Sequence, residues 1–346
     1  MQTTCNVRLD FEKKREIGQE GRNSHVFLVH DKQLDGDLVV KEIEKKDDMK
    51  YDDYFKEARL LYNNSHQNIV RVNYACENDE NIYVAMPYYK NGSLKKKISD
   101  GNFLTIREVI RYAIQFLSGL NHIHSRGLIH YDIKPDNIMI SDSNEALLAD
   151  FGLALYTNTD GFADQNYFYT LHASPEMLDP NAKQTFLSDI FQAGITMYRM
   201  VNGNDFFYNQ KPVTSADFFN KVFKGTFPDR NSYLPHVPKT LRKIINKCMT
   251  PNPNGRFKST LEVINALSTI DGNIDILCHE SSSRYNWTLF KRDYEYKIEL
   301  IEDEGNFSTE VTKSKEGKVT ICKRYSYKNI AARDVESTLN SIFESI

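Results

Sequence analysis

Three side chains suited to phosphoryl transfer lie together between Ile129 and Ile140. Asp132 is followed by Lys134 and, five positions after the aspartate, by Asn137. Phosphoryl transfer needs an Asp to accept the proton of the attacking hydroxyl and, a short loop later, an Asn to hold a magnesium ion. Lys134 could contact the transferred phosphate. For this stretch alone, a surface loop with scattered polar residues is the competing interpretation.

A second motif, Asp150-Phe151-Gly152, follows the apolar run 146–149. This run predicts a short strand that would carry the Asp150 carboxylate to a cleft, where it could serve as a second metal ligand. Together, the stretch around Asp132 and the motif at Asp150 resemble the catalytic loop and the Asp-Phe-Gly motif of the eukaryotic-type protein kinases, in their usual order. The resemblance covers about residues 11–270 and rests on several ordered motifs.

The resemblance implies roles for residues outside these two motifs. Leu38-Val39-Val40-Lys41 resembles the third-strand motif, so Lys41 is expected to hold the phosphates of ATP and to pair with Glu57. Ala173-Ser174-Pro175-Glu176 resembles the Ala-Pro-Glu motif, and the resemblance pairs Glu176 with Arg256. The implied catalytic residues are Asp132, Lys134 and Lys41, and the implied magnesium ligands are Asn137 and Asp150.

The resemblance also implies an ATP pocket with a hinge at Met86-Pro87-Tyr88-Tyr89. The residues expected to contact ATP are Gly18, Gly21, Val26, Val39, Lys41, Glu57, Met86, Tyr88, Tyr89 and Met139. For the apolar members of this set, ordinary core packing is an equally good interpretation when the other motifs are left aside.

The sequence departs from the family pattern in two places. The glycine-rich loop lacks at least one glycine, whether it is aligned from Gly18 with an extra residue or back from Val26 with only Gly21 matching. A carboxylate at Glu20 would repel phosphates if it pointed inward. We still expect ATP binding, because the phosphate-binding lysine and the metal-binding side chains are all present. Tyr131 stands where many kinases carry an Arg that binds a phosphorylated activation segment, so we expect activity without phosphorylation of Thr157 or Thr159.

The elements predicted around these motifs indicate an α+β fold class, and the resemblance implies a bilobal protein-kinase-like fold. The predicted organisation is an N-terminal arm at 1–10, a β-rich lobe with the hinge at 11–90, a helical lobe at 91–270 and an accessory domain at 271–346. In the β-rich lobe, the apolar runs 27–29 and 38–40 predict a hairpin, a helix is expected at 54–61, and strands are expected at 69–74 and 81–86. Helical spacing of apolar residues begins near Ile106.

The stretch after the breaker cluster Asp271-Gly272-Asn273 alternates apolar and polar residues. This pattern predicts three or four antiparallel strands, at 287–290, 294–301, 307–311 and 319–327, followed by an amphipathic helix over 335–346. The aromatic residues of these strands could stack on nucleic-acid bases, but aromatic residues are favoured in strands for packing alone. The resemblance does not extend to this region.

Composition limits the classes of partner. The 346 residues carry 44 Lys and Arg against 47 Asp and Glu, a net charge of −3, which argues against nucleic acid as a partner. No apolar run is long enough to span a membrane, and Met1 to Lys14 lacks an apolar core, so we expect a cytoplasmic protein. The implied activity is a serine/threonine kinase that uses ATP and Mg²⁺, acts on Ser or Thr of protein substrates, and recruits a partner or inhibits itself through residues 271–346. A nucleotide-binding pseudokinase scaffold is the alternative.

Overall fold

A computed structural model describes residues 9–19, 24–45, 55–163, 165–271, 275–281, 284–303 and 305–346. The small lobe contains β1 (Phe11–Gln19), β2 (Ser24–Asp31), β3 (Gly36–Glu44), α1 (Lys56–Asn63), β4 (Tyr74–Glu77) and β5 (Asn81–Pro87). Its strands form one antiparallel sheet in the order β1-β2-β3-β5-β4. The sheet places β3 at its centre, so side chains on both neighbouring strands surround the strand that carries Lys41.

The predicted hairpin is confirmed, because β2 pairs with β3 in antiparallel register and Leu28 lies opposite Val39. The strand predicted at 69–74 is wrong, since β4 begins only at Tyr74. The apolar residues before it contact the large lobe instead. Ile69 forms an isolated bridge with Leu148, and the Val70 amide donates to the Leu148 carbonyl. An apolar run that packs between two lobes can therefore have the same sequence pattern as a β-strand.

The large lobe is mainly helical. Its elements are α2 (Leu94–Lys97), α3 (Ile106–His124), β6 (Leu128–Ile129), β7 (Ile138–Ile140), β8 (Ala146–Leu148), β9 (Leu155–Tyr156), α4 (Pro175–Leu178), α5 (Phe186–Asn202), α6 (Asn204–Tyr208), α7 (Ser215–Lys224), α8 (Lys239–Cys248) and α9 (Thr260–Leu267). Helix α3 begins with a capping box, in which Thr105 and Glu108 satisfy each other's backbone amides. Helix α5 is buried along nearly its whole length, so it forms the rigid centre on which the catalytic loop rests.

The C-terminal region forms a second antiparallel sheet, with strands in sequence order. Its elements are β10 (Leu277–Ser281), β11 (Arg284–Lys291), β12 (Tyr294–Asp303), β13 (Asn306–Lys315), β14 (Lys318–Ile321) and α10 (Val335–Ser345). The predicted terminal helix is confirmed, and the turn at Glu316-Gly317 has positive φ at both residues. The prediction missed β10. The last strand ends at Ile321 instead of residue 327, and a short 3₁₀ turn follows at Lys323–Tyr325.

Trp287 on β11 is a buried residue of the C-terminal sheet. Its side chain is 1% exposed, its ring centre lies 5.6 Å from that of Phe343 in α10, and its Nε1–H donates to Nδ1 of His236 across 3.1 Å. A stacking platform that includes Trp287 is therefore excluded by its burial. Burial, together with the charge of Arg242, lowers the pKa of His236 to about 3, so this histidine is neutral.

The inner face of the second sheet joins the core of the large lobe. Trp287, Ile298 and Val311 belong to the same buried cluster as Phe191 and Leu241. Ion pairs flank this cluster, with Arg107 bidentate to Asp275 and Arg242 paired with Glu336. The helices in the described part of the chain are all too short or too polar to cross a bilayer.

Candidate active site

The upper half of the site is built by β3 and α1. Lys41 follows Val39 by two positions on β3, so both side chains lie on the same face of the sheet, toward the large lobe. The Lys41 ammonium lies 2.7 Å from Oε2 of Glu57, which is in the first turn of α1, and 3.9 Å from Oδ1 of Asp150. The three groups expected to surround the phosphates and the metal therefore meet at one point.

Glu57 holds this lysine from a buried position. Burial raises the pKa of Glu57 above its usual range; the attraction of Lys41 opposes this rise, and the charge of Asp150 adds to it. The Lys41–Glu57 ion pair exists only while Glu57 is ionised. Acidification therefore threatens this pair at a higher pH than it would for an exposed glutamate.

The lower half of the site is the catalytic loop between β6 and β7. One carboxylate oxygen of Asp132, Oδ2, accepts hydrogen bonds from Lys134 Nζ at 2.7 Å and from Asn137 Nδ2 at 2.8 Å. The other oxygen, Oδ1, is buried and receives no hydrogen bond from any residue of the described ranges. A buried acceptor without a donor is costly, so it marks the place where an incoming hydroxyl would be satisfied.

Asp189 on α5 fixes the backbone of this loop. Its two carboxylate oxygens accept the amide N–H groups of His130 and Tyr131, each at 2.8 Å, and Nε2 of His124 lies 2.8 Å from Oδ2. Tyr131 has φ of 66°, in the left-handed region that strains a residue with a side chain. The hydrogen bonds from Asp189 hold this strained backbone and so orient the neighbouring Asp132.

His130 connects the loop to the second motif. Its Nε2 lies 3.1 Å from the Ala149 carbonyl, while Nδ1 accepts the Asp132 amide. This pattern requires the neutral ring with its proton on Nε2, and burial lowers the pKa of His130 in agreement with that state. The ring also packs edge-on against Phe151, with ring centres 4.9 Å apart. Asp132 and Asp150 are thus fixed relative to each other through one histidine.

The second motif turns sharply after β8. Asp150 has φ of 56°, and the amide of Gly152 donates to its Oδ1 at 3.2 Å. A Cβ on Gly152 would lie 3.1 Å from that same oxygen, a close approach that only glycine avoids without a shift. Phe151 is buried, so the motif presents the Asp150 carboxylate toward Lys41 and the cleft.

The residues present fit a magnesium site of the kind that phosphates complete. Asn137 uses its amide nitrogen to donate to Asp132, which leaves its oxygen as the end that could bind a cation. Within the described residues, no group of three or more His, Cys, Asp or Glu could hold a metal by itself. One carboxylate and one amide oxygen suit Mg²⁺, which takes few protein ligands and draws the rest from water and phosphate.

A cavity of about 580 Å³ opens between the two lobes at this site. Eleven of the residues predicted to contact ATP or metal line it: Gly18, Val26, Val39, Lys41, Glu57, Met86, Tyr88, Tyr89, Asn137, Met139 and Asp150. Gly21 and Glu20 lie outside the described residues, as does the rest of the loop between β1 and β2. Asp132 and Lys134 lie beside the cavity. Asp132 contacts Asn137, which lines it, and Lys134 contacts Asp132.

Sequence reasoning missed part of this lining. Val70, Ala149 and Lys96 also face the cavity. Ala149 immediately precedes Asp150, so its place in the motif was an available signal. Val70 lies in the stretch predicted as a strand, and Lys96 belongs to a basic run, 95–97, whose position the sequence alone did not indicate.

The helical lobe is held together below the site by the pair that the resemblance implied. Arg256 is bidentate to Glu176, with distances of 2.7 Å and 2.8 Å between nitrogen and oxygen atoms, and Ser188 also donates to Glu176. Burial opposes ionisation of Glu176, but the hydrogen bonds and charge of Arg256 outweigh it and hold the pKa of Glu176 below its usual range.

Tyr131 forms a neutral hydrogen bond at the position where many kinases carry a charged Arg. Its hydroxyl donates to the Ala163 carbonyl at 2.7 Å and thereby ties the catalytic loop to the activation segment. Gln184 adds to this tie, because its carbonyl accepts the Ala163 amide and its side chain donates to the Gln165 carbonyl. Thr170, in the same segment, is exposed.

Comparison with known proteins agrees with this geometry. Residues 11–266 match the protein kinase domain family. A probable serine/threonine-protein kinase of Clostridium acetobutylicum is 28% identical over 271 residues, covering 76% of this chain and 40% of that protein. CBL-interacting serine/threonine-protein kinase 20 of Arabidopsis thaliana is 27% identical over 256 residues, covering 72% and 56%. A probable myosin light chain kinase of Dictyostelium discoideum is 27% identical over 257 residues, covering 72% and 80%.

The chain thus spans about half the length of the first two of these relatives. The family match, in contrast, includes both lobes and every motif of the site, from the first strand of the small lobe to α9. Because this match covers well over half of the sequence, the chain belongs to the protein kinase domain family.

Proposed function

We propose that the chain transfers the γ-phosphoryl group of ATP to Ser or Thr hydroxyls of protein substrates. The observation that carries this proposal is the unequal use of the Asp132 carboxylate. Oδ2 is held by Lys134 and Asn137, while Oδ1 is buried with no donor among the described residues. A carboxylate held in this way is already oriented to accept one more hydrogen bond, from a hydroxyl group.

In the proposed reaction, the substrate hydroxyl donates to Oδ1 of Asp132, and its proton passes to that oxygen as the hydroxyl attacks. A bond forms between the hydroxyl oxygen and the γ-phosphorus, and the bond from that phosphorus to the bridging oxygen breaks, which releases ADP. Lys134 contacts Asp132 directly, so its ammonium lies where charge on the transferred group would develop.

The cavity supplies the proposed binding contacts for ATP. The apolar side chains of Val26, Val39 and Met139 would pack on the base, and backbone groups at Tyr88 and Tyr89 would hydrogen-bond to its edge. Lys41 would contact the phosphates. A bound magnesium ion would neutralise phosphate charge, with Asn137 and Asp150 as its proposed protein ligands.

The arrangement of both lobes favours an active enzyme over the pseudokinase alternative. The Lys41–Glu57 pair is closed at 2.7 Å, and Phe151 is packed inward against His130. Both features belong to the catalytically competent arrangement of kinases. The names of the relatives, together with the Lys134-Pro135 sequence, support Ser or Thr as the acceptor.

For residues 271–346, the structure supports a role in stabilising the large lobe, because the inner face of the sheet is part of its core. Recruitment of a partner and inhibition in cis stay predictions from the sequence. The outer face remains exposed and carries Phe290, Val319 and Ile321.

The test compares the wild-type protein with Asp132→Ala and with Asp160→Ala, an exposed carboxylate of the activation segment. Each is incubated with labelled ATP, magnesium and protein acceptors, and nucleotide binding is measured in parallel. We expect wild type and Asp160→Ala to transfer phosphate to Ser or Thr, and Asp132→Ala to lose roughly 100- to 10,000-fold in rate while still binding nucleotide. Nucleotide binding without transfer by the wild type would instead establish the pseudokinase.

A further inference from the structure

A second carboxylate of the catalytic loop, Asp136, already lies beside cations of the chain itself. Asp136 lies four residues after Asp132 and lines the mouth of the nucleotide cavity. Its Oδ1 accepts from Lys95 Nζ at 2.7 Å, and its Oδ2 lies 3.8 Å from Nη2 of Arg199. Two positive charges therefore face one negative charge at the entrance through which a substrate would approach.

Arg199 is a fixed member of this cluster. It is fully buried and held by the Asn204 side chain, the Tyr208 hydroxyl and Nε2 of His172. Because these partners are neutral groups, they do not cancel its charge. Lys95 differs, since its side chain is 45% exposed and can rotate toward an incoming group.

Further lysines extend the positive charge along the same edge. Lys96 and Lys90 line the cavity mouth, and Lys97 follows on α2. The sequence suggests only a solvated basic run at 95–97, but the structure places that run beside the catalytic loop. With Lys134 included, cations outnumber carboxylates on this edge, which will be called the α2 edge.

Besides Asp132 and Asp136, no carboxylate of the described residues forms an ion pair with the lysines of this edge. Asp205 follows Asn204, whose side chain contacts Ser99 beyond the carboxyl end of α2. Together with Glu280, it lines a separate cavity of about 260 Å³ that is shared with the C-terminal sheet. Asp100 is exposed beyond that same end of α2 and has no ion pair with the lysines of the α2 edge within the described residues.

We propose that the α2 edge selects acceptor sites flanked by anionic side chains, and that Lys95 is the residue that determines this specificity. The inference rests on the proposed kinase activity. Lys95 acts in two ways, since it offers a mobile cation to an anionic substrate residue and it occupies Asp136, the carboxylate that could otherwise bind Lys or Arg of a substrate. Glutamate, aspartate and phosphorylated residues share the required chemistry.

The experiment uses the full chain and peptides with one central Ser or Thr. Four sets carry flanking Glu, flanking phosphoserine, flanking Ala or flanking Arg, and kcat/KM is measured for each set at low and high salt. We expect the wild type to prefer the Glu or phosphoserine set over the Arg set by about fivefold or more, and we expect this preference to shrink as salt is raised. The first two sets distinguish carboxylate from phosphate recognition.

Lys95→Glu should reverse the order of the anionic and Arg sets, because it removes the cation and adds a carboxylate beside Asp136. The matched control is Lys243→Glu, the same charge reversal on an exposed position of α8, which should leave the order unchanged. The KM for ATP should stay within about twofold of wild type in both variants, because Lys95 does not line the nucleotide cavity.

The results separate this inference from the proposed function. Equal turnover of all sets by the wild type, a preference for Arg, or an unchanged order in Lys95→Glu would overturn the specificity role and leave the kinase activity intact. Absence of turnover for every peptide and protein acceptor would overturn both. An altered order in Lys243→Glu as well would assign the effect to net charge, and would also overturn the role of Lys95.

Discussion

The two halves of the site are held in different ways. In the large lobe, the backbone of the catalytic loop is fixed by Asp189. This fully buried carboxylate accepts two backbone amides of the loop and lies beside His124. In the small lobe, Lys41 is placed by an ion pair with Glu57 on a short helix, and its ammonium also lies 3.9 Å from Asp150. The large lobe therefore supplies a preorganised acceptor for the substrate proton, whereas the small lobe supplies a charge whose position depends on ion pairs between side chains.

The largest effect on stability and activity should come from a substitution that removes Asp189 from the large-lobe half of the site. Asp189→Ala leaves the amides of His130 and Tyr131 buried without an acceptor, so we expect the free energy of unfolding to fall by about 3–5 kcal/mol and activity to be lost. Denaturant unfolding measures this change. Asp217→Ala removes an exposed carboxylate that pairs with Lys221, and it should cost less than about 1 kcal/mol. Similar losses in the two variants would contradict the scaffold role of Asp189.

An intermediate effect should come from the upper half. Glu57→Gln removes the ion pair with Lys41, and we expect kcat/KM for ATP to fall by about 10- to 100-fold while the free energy of unfolding changes by less than about 1 kcal/mol. Glu44→Gln, at an exposed position of the same sheet, is the control. Loss of stability comparable to that of Asp189→Ala would show that the two halves are held alike.

The same pair predicts how activity depends on pH. Because the folded pKa of Glu57 is raised, protonation of this group favours the folded state at low pH, and its ionisation costs stability as pH rises through that pKa. Acidification should thus reduce activity through loss of the ion pair, although protonation of this group itself favours the folded state. The acid limb of the pH profile should be absent from Glu57→Gln, and a limb unchanged by the substitution would assign it to another group.

The smallest effect should come from the tie between the catalytic loop and the activation segment. Tyr131→Phe removes one hydroxyl hydrogen bond to Ala163, so we expect a loss of about 1 kcal/mol and a fall in kcat of a few fold, with faster proteolysis within the activation segment. Thr157→Ala and Thr159→Ala should leave peptide phosphorylation near wild type. Abolished turnover in the threonine variants would refute activation without phosphorylation.

Local motifs of the site could be predicted from the sequence, because the groups concerned are close along the chain. Asp132, Lys134 and Asn137 share one loop, and the strand before Asp150 is confirmed as Ala146–Leu148. Contacts between residues that are far apart in the sequence could not be predicted in the same way. The run at Ile69 and Val70 has the pattern of a strand, yet it packs across the lobes, and only the fold shows that Lys95 meets Asp136.

In the C-terminal region, the sequence predicted strands but not which of their residues are buried. Alternation predicted most of its strands, but alternation cannot say what covers the apolar face. Here α10 and the large lobe cover it, so Trp287 is a core residue and not a stacking surface. Strand β10 was missed because its five residues, Leu277–Ser281, are polar at most positions and closely follow a breaker cluster.

The hydrogen bond from Trp287 to His236 has a consequence for how the C-terminal sheet is attached. Since the indole proton points at Nδ1, the imidazole must keep its own proton on Nε2, and a second proton would have to displace the indole. With a pKa of about 3, the ring stays uncharged at any pH well above that value. Protonation of His236 therefore does not disrupt this contact between the sheet and the large lobe at neutral or mildly acidic pH.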